Sequence, residues 1–151
     1  MLAGGVGSRM KMGNFPKQYM EVHGRPIISY ALKTFNIHKD IHSIIIVVAP
    51  EWRDFTDKVI KKESIDKFYG YALPGENRQY SIISALEFLK DRVSKEDMVI
   101  IHDAARPLVS PEIISACFSE MDGYDGVMPI LPVKDTFYYS EDKKAVSKLL
   151  E

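Results

Sequence analysis

Short apolar runs alternate along this chain with stretches of helical periodicity, and that alternation restricts the fold more than any other feature. The runs are SIIIVVA (43–49), KFYGYAL (67–73), DMVIIHD (97–103) and GVMPILPV (126–133). The helical stretches are 25–38, with Ile28, Leu32 and Phe35 on one face, then 51–62, 81–93 and 110–121, where Ser110 reads as an N-cap before Pro111 and Glu112. Strands apolar on both faces suit the middle of a covered parallel sheet, and strand–helix alternation builds βαβ units. An α/β, Rossmann-like architecture follows, with 151 residues enough for one domain with a real core. In such sheets ligands bind beyond the carboxyl ends of the strands, so the loops after each strand are the places to search. Only Met1 and Leu2 precede the first glycine-rich loop, so the strand expected before it is read as cut short.

Charge excludes one class of partner. Twenty basic residues against twenty-one acidic ones leave a net charge of −1, which does not supply a sequence-independent grip on nucleic acid. Any anion must be held by a local site. No apolar run reaches the roughly 18 residues of a membrane span and no signal pattern opens the chain, so a cytoplasmic address without membrane contact is expected. The single cysteine, Cys117, excludes an internal disulfide and reads as a packed thiol among Ile113, Ile114, Ala116 and Phe118.

The unusual residues fall in the loops. In LAGGVGSRM (2–10), Gly4, Gly5 and Gly7 let backbone N–H groups approach a phosphate, and Arg9 adds a forked cation; a plain turn or cap explains the glycines equally well. Met10 stands where a dinucleotide fingerprint has its third glycine, and no G-K-[ST] follows as in a P-loop. In FPKQY (15–19), Pro16 presents Lys17, a second cation for the same polyphosphate or a solvated surface group. Asp103 ends the third run in HDAARP (102–107), placed to hold a divalent cation, with Arg106 to fork onto a phosphate or carboxylate; the alternative is an Asp–Arg loop staple. PGENRQYS (74–81) is a turn into a helix, with Gly75 able to read a base edge or merely to cap. PVKDT (132–136) is a polar exit or a co-substrate contact. Lys11, His23, His38, His42 and His102 read as structural or solvated.

The order of LAGGVGSRM, PKQY, PGENRQYSI, HDAARP and PVKDT is similar to that in the 2-C-methyl-D-erythritol 4-phosphate cytidylyltransferase family, whose near relatives include D-ribitol-5-phosphate cytidylyltransferases. The likeness runs over nearly the whole chain. It implies a three-layer sandwich of the nucleotide-diphospho-sugar transferase type and transfer of CMP from CTP to a polyol phosphate, methylerythritol phosphate first and ribitol phosphate as the alternative, with Mg2+ as cofactor. By resemblance Ala3, Gly4, Gly5 and Gly7 contact nucleotide, while Arg9 and Lys17 stabilise the transition state. Gly75, Glu76 and Ser81 read cytosine and ribose, Asp103 meets magnesium and nucleotide, and Arg106 and Thr136 meet the acceptor. A homodimer through an arm starting near Val133 is also implied. That arm would continue past Glu151, so part of the acceptor site is expected to be missing.

Pro74 and Glu76 replace the family's usual Gly and Asp. The Arg9-to-Lys17 spacing and PEW at 50–52 lean toward the ribitol-phosphate enzymes, DAARP toward the methylerythritol ones. Two other readings remain at the level of sequence: a nucleotide-binding module without turnover, and a dinucleotide-dependent oxidoreductase, which Met10 and Ala49-Pro50 at the end of the second strand disfavour.

Overall fold

A computed structural model describes residues 1–5, 15–132 and 136–150. After a 3-10 turn at Lys17–Tyr19, β1 (Glu21–Val22) and β2 (Arg25–Pro26) pair antiparallel. Their connection places His23 at φ 51° and Gly24 at φ 71°, the left-handed pair that a tight two-residue hairpin requires. α1 (Ile27–Ile37) follows directly. Its Ile28, Ala31, Leu32 and Phe35 recur at helical spacing and are all buried, each large side chain contributing about 1.5–3 kcal/mol by leaving water. His38 flanks its end as expected but is buried, with Nε2 3.2 Å from the Pro111 carbonyl and 3.0 Å from Ser115 Oγ.

β3 (Ile44–Val47), α2 (Arg53–Lys62) and β4 (Phe68–Ala72) make the βαβ unit read from the alternation. β3 and β4 pair in parallel, with a register irregularity between Ile44 and Ile45. Ile46, Val47 and Val48 are fully buried, as expected of a central strand. On the other side of β3 lies the N-terminal segment. Leu2 bridges both Val47 and Asp103 in parallel; its N–H donates to the His102 carbonyl at 2.7 Å, and its own carbonyl accepts from Ala104 N–H at 2.9 Å. The short stretch before the glycines is therefore the inner strand of the sheet, with β3 and 102–104 on either side.

α3 (Arg78–Leu89) and α4 (Pro111–Ser119) match the remaining helical stretches, and Ser110 Oγ accepts from Ile113 N–H at 3.4 Å, the expected N-cap bond. Two expected strands differ. Residues 97–101 carry no ladder among the described residues; pairing with Leu2 is confined to 102–104, and Met98, Val99 and Ile101 remain about half exposed. A strand exists only where a neighbour accepts its backbone hydrogen bonds, and Leu2 offers partners solely around 102–104. Residues 126–132 likewise form no strand, and Ile130 and Leu131 are exposed at 76% and 88%.

By backbone contacts the chain divides into Met1–Ala116 and Cys117–Glu151. The second unit contains an antiparallel hairpin of β5 (Phe137–Tyr139) and β6 (Lys148–Leu150) in the register Tyr138↔Leu149. Between them Asp142 Oδ1 accepts from Lys144 and Ala145 N–H groups at 2.8 and 3.0 Å, closing the turn. Cys117 is half-buried.

Candidate functional site

The loops that follow the inner segment, β4 and 102–104 surround a cleft of about 810 Å³ in the first unit. Gly4, Gly5, Lys17, Gly75, Glu76, Ser81, Asp103 and Arg106 all line it, joined by Gln18, Asn77 and Arg78. Residues as far apart in sequence as Gly4 and Arg106 thus meet where the parallel strands end, as the topology predicts. Ala3 is buried behind the glycines. Gly7 and Arg9 lie outside the described residues. Thr136 belongs to the second unit, exposed just before β5.

The glycine segment is held from two sides. A Cβ on Gly4 would stand 2.5 Å from Pro74 Cβ, so the close approach of the two loops leaves room for hydrogen alone. On the other side the Gln18 amide donates from Nε2 to the Ala3 and Gly5 carbonyls at 2.6 and 3.0 Å. Gln18 and Lys17 are themselves fixed by Tyr19, which is buried, stacks on Trp52 at 4.8 Å between centroids and shares a 3.1 Å hydrogen bond with Thr56. PEW at 50–52 therefore has a packing role: its Trp52 backs the Lys17 turn, and Phe15 meets the same indole edge-on at 5.2 Å.

The turn 74–77 is knotted to the start of α3. Asn77 is its N-cap, with Oδ1 accepting from Gln79 and Tyr80 N–H groups at 2.9 and 3.1 Å. Ser81 Oγ donates to the Asn77 carbonyl at 2.9 Å and accepts from Gly75 N–H at 3.1 Å. Both bonds of the Ser81 hydroxyl are thus local, and it shapes the turn.

Asp103 is the electrostatic centre. Its Oδ1 accepts from Arg78 Nε at 3.1 Å and its Oδ2 from Arg106 Nε at 3.0 Å. Burial pushes the carboxyl up, but the hydrogen bond from Arg106 and the charge and hydrogen bond of Arg78 outweigh it, so the group lies below the usual carboxylate range. The Asp–Arg staple is therefore real, and both of its arginines line the cleft. His102 buttresses the loop: its Nε2 lies 3.0 Å from the Arg106 carbonyl, and burial chiefly lowers its pKa, consistent with a neutral ring donating there. Three basic side chains, Lys17, Arg78 and Arg106, face two carboxylates, Glu76 and Asp103, among the described lining residues. Such a cleft attracts a multiply charged anion while keeping one carboxylate available beside it.

Sequence reading missed Gln18 and Arg78 as site residues and Asn77 as a cap. A signal existed for two of them: Asn before a helical pattern is a cap signature, and a cation in a first helical turn opposes the helix dipole, so Arg78 needs the compensating carboxylate it finds in Asp103. Nothing local marks Gln18.

Comparison with known proteins agrees with the motif order. The chain is 36% identical over 143 residues to the 2-C-methyl-D-erythritol 4-phosphate cytidylyltransferase of Thermosipho melanesiensis, covering 95% of this chain and 62% of that one. It is 34% identical over 151 residues to the ribitol-5-phosphate cytidylyltransferase of Lacticaseibacillus paracasei, covering 100% and 64%. The solved 4-diphosphocytidyl-2C-methyl-D-erythritol synthase of Anaerococcus prevotii shares the fold, with a TM-score of 0.78 at 23% identity over 99% of this chain and 61% of the other. The expected α/β fold is thereby established. The chain spans less than two thirds of the length of these relatives. The family profile described as IspD: 2-C-methyl-D-erythritol 4-phosphate cytidylyltransferase matches residues 1–151, and to that family the chain belongs.

Proposed function

We propose that the protein containing this chain transfers CMP from CTP to a polyol phosphate, 2-C-methyl-D-erythritol 4-phosphate in the first instance, releasing pyrophosphate. The observation that carries the reading is the convergence of a glycine segment, Lys17, Arg78, Arg106 and Asp103 on one cleft in a chain of this family. A phosphate oxygen of the acceptor attacks the α-phosphorus, a new P–O bond forms, and the bond to the β-phosphate oxygen breaks. The nucleophile is already an anion, so no strong general base is needed; charge neutralisation and in-line positioning suffice. Lys17, with Arg9, is assigned to the charge that develops at the α-phosphate. Gly4 and Gly5 offer backbone N–H groups to the triphosphate. Gly75, Glu76 and Ser81 border the position assigned to the base, and Arg106, with Thr136, is assigned to the acceptor.

The donor set also fits a nucleotide-borne magnesium ion. Among the described residues no group of three or more His, Cys, Asp or Glu gathers to cage a metal. Magnesium, however, is ordinarily held by one or two carboxylates completed by substrate phosphates, and Asp103 supplies an ionised carboxylate at the cleft. When bound, the ion supplies neutralisation of charge between phosphates. Arg78 and Arg106 are exposed at 60% and 76%, so both can exchange Asp103 for phosphate oxygens.

The relatives named for ribitol 5-phosphate make that acceptor the second reading. A homodimer built through an arm beginning near Val133, which lies outside the described residues, and a cytoplasmic location belong to the same proposal; among the described residues no helix is long and apolar enough to cross a membrane. The test is pyrophosphate release by the full-length protein with CTP and magnesium, offering methylerythritol phosphate and ribitol phosphate separately. Release with the first supports the main reading and release with ribitol phosphate alone transfers the assignment. No release with either, while CTP binds, refutes the acceptor class.

A further inference from the structure

Gln18 is a neutral side chain buried to 5% exposure, beside a cleft whose chemistry is otherwise ionic. An amide nitrogen has two N–H donors, and both are committed to main-chain carbonyls of the glycine segment, Ala3 at 2.6 Å and Gly5 at 3.0 Å. In a trans peptide the carbonyl and the following N–H point in opposite directions, and no cis peptide occurs among the described residues. Turning the Ala3 carbonyl inward to Gln18 therefore turns the Gly4 N–H outward. The Gly5 N–H lies in the peptide between the two pinned carbonyls. Neither N–H has an intramolecular acceptor among the described residues, and both glycines line the cleft.

The same side chain also ties the loop to the neighbouring cation. Lys17 precedes Gln18 in one 3-10 turn, and Tyr19, stacked on Trp52, anchors that turn in the core. Pro74 blocks the loop from the opposite side. We propose that Gln18 is a positioning residue that aims the Gly4 N–H at a bound polyphosphate and sets the glycine segment in register with Lys17. The inference rests on the nucleotide reading above. It is specific to a neutral amide of this length: Glu has no donor when ionised, Asn is one methylene short, and Met keeps the volume without the donors.

The experiment compares the full-length protein with Gln18→Met, using NMR order parameters of the Gly4 and Gly5 amides and calorimetric binding of inorganic tripolyphosphate, CTP and cytidine. The variant is expected to lower these order parameters from about 0.85 toward about 0.6 and to bind tripolyphosphate and CTP roughly ten-fold more weakly, the effect of losing two hydrogen bonds that hold the segment. Cytidine binding should stay close to native, which a general collapse of the site would not allow, and the urea midpoint should fall by about 1 M, as the loss of two hydrogen bonds requires. If Gln18→Met does not fold, Gln18→Asn is read in the same way. Unchanged order parameters overturn the tie, and lowered ones with unchanged tripolyphosphate affinity overturn the positioning role. A native protein that binds tripolyphosphate but not CTP sinks the cytidylyl reading alone, with Gln18 still judged on tripolyphosphate. Binding of neither overturns both.

Discussion

Gly75→Ala tests whether the turn over the cleft is held as tightly as its geometry indicates. A Cβ at this position would lie 2.7 Å from the Tyr80 carbonyl carbon and 3.0 Å from the Ser81 nitrogen. Both are backbone atoms in the first turns of α3, so no side-chain rotation relieves the overlap. The turn must move away from the helix, and the 3.1 Å bond from Gly75 N–H to Ser81 Oγ goes with it. Overpacking of this kind costs about 1–3 kcal/mol and the hydrogen bond about 1 kcal/mol, together about 2–4 kcal/mol. With a urea m-value of about 2 kcal/mol/M, the midpoint falls by about 1–2 M at unchanged slope. Gly5→Ala is the control, because its added Cβ meets nothing within 4 Å among the described residues; its change should stay within about 0.5 kcal/mol. Chemical denaturation followed by circular dichroism reads both. Equal midpoints for the two variants would refute the argument that Gly75 is required by contact with α3.

Asp103 should show its ion pairs in the acid range. Its folded pKa lies below the ordinary value, so its stabilisation is complete above about pH 4 and is lost as pH falls through the lowered pKa. Native protein should therefore be more stable than Asp103→Asn near neutrality, and the gap should narrow as denaturation is repeated at pH values below about 4; a gap independent of pH would count against paired Arg78 and Arg106. Lys17→Ala should lower the single-turnover rate by about 100-fold or more while changing CTP affinity far less, because a cation that meets charge developed in the transition state contributes little to ground-state binding. Rapid-quench kinetics beside equilibrium titration separates the two, and an equal loss in both would assign Lys17 to binding alone.

Much of the fold was legible because periodicity is a local property. Ile28, Leu32 and Phe35 recur at the spacing that buries one helical face, and Ile44–Val47 is apolar on both faces because it lies inside the sheet. The run 97–103 shows where that logic stops: its composition is that of a strand, yet pairing depends on what lies alongside, and only its last two residues reach a partner. Within the site, glycines, lysine and arginines announce themselves by type. Gln18 and Asn77 do not, since their roles consist of bonds to backbone atoms supplied by the fold.

By itself the sequence determined the order of the four helices and of the β3–α2–β4 unit, the α/β class and the set of residues chemically able to meet a polyphosphate, because hydrophobic spacing and side-chain chemistry are encoded position by position. Only the tertiary structure decided that Leu2 lies between Val47 and Asp103, that Arg78 and Arg106 share one carboxylate, and that a buried amide turns the glycine segment toward the cleft. Those facts depend on distances between residues far apart in the chain, and such distances are set by the packing of the sheet and its helices rather than by any local pattern.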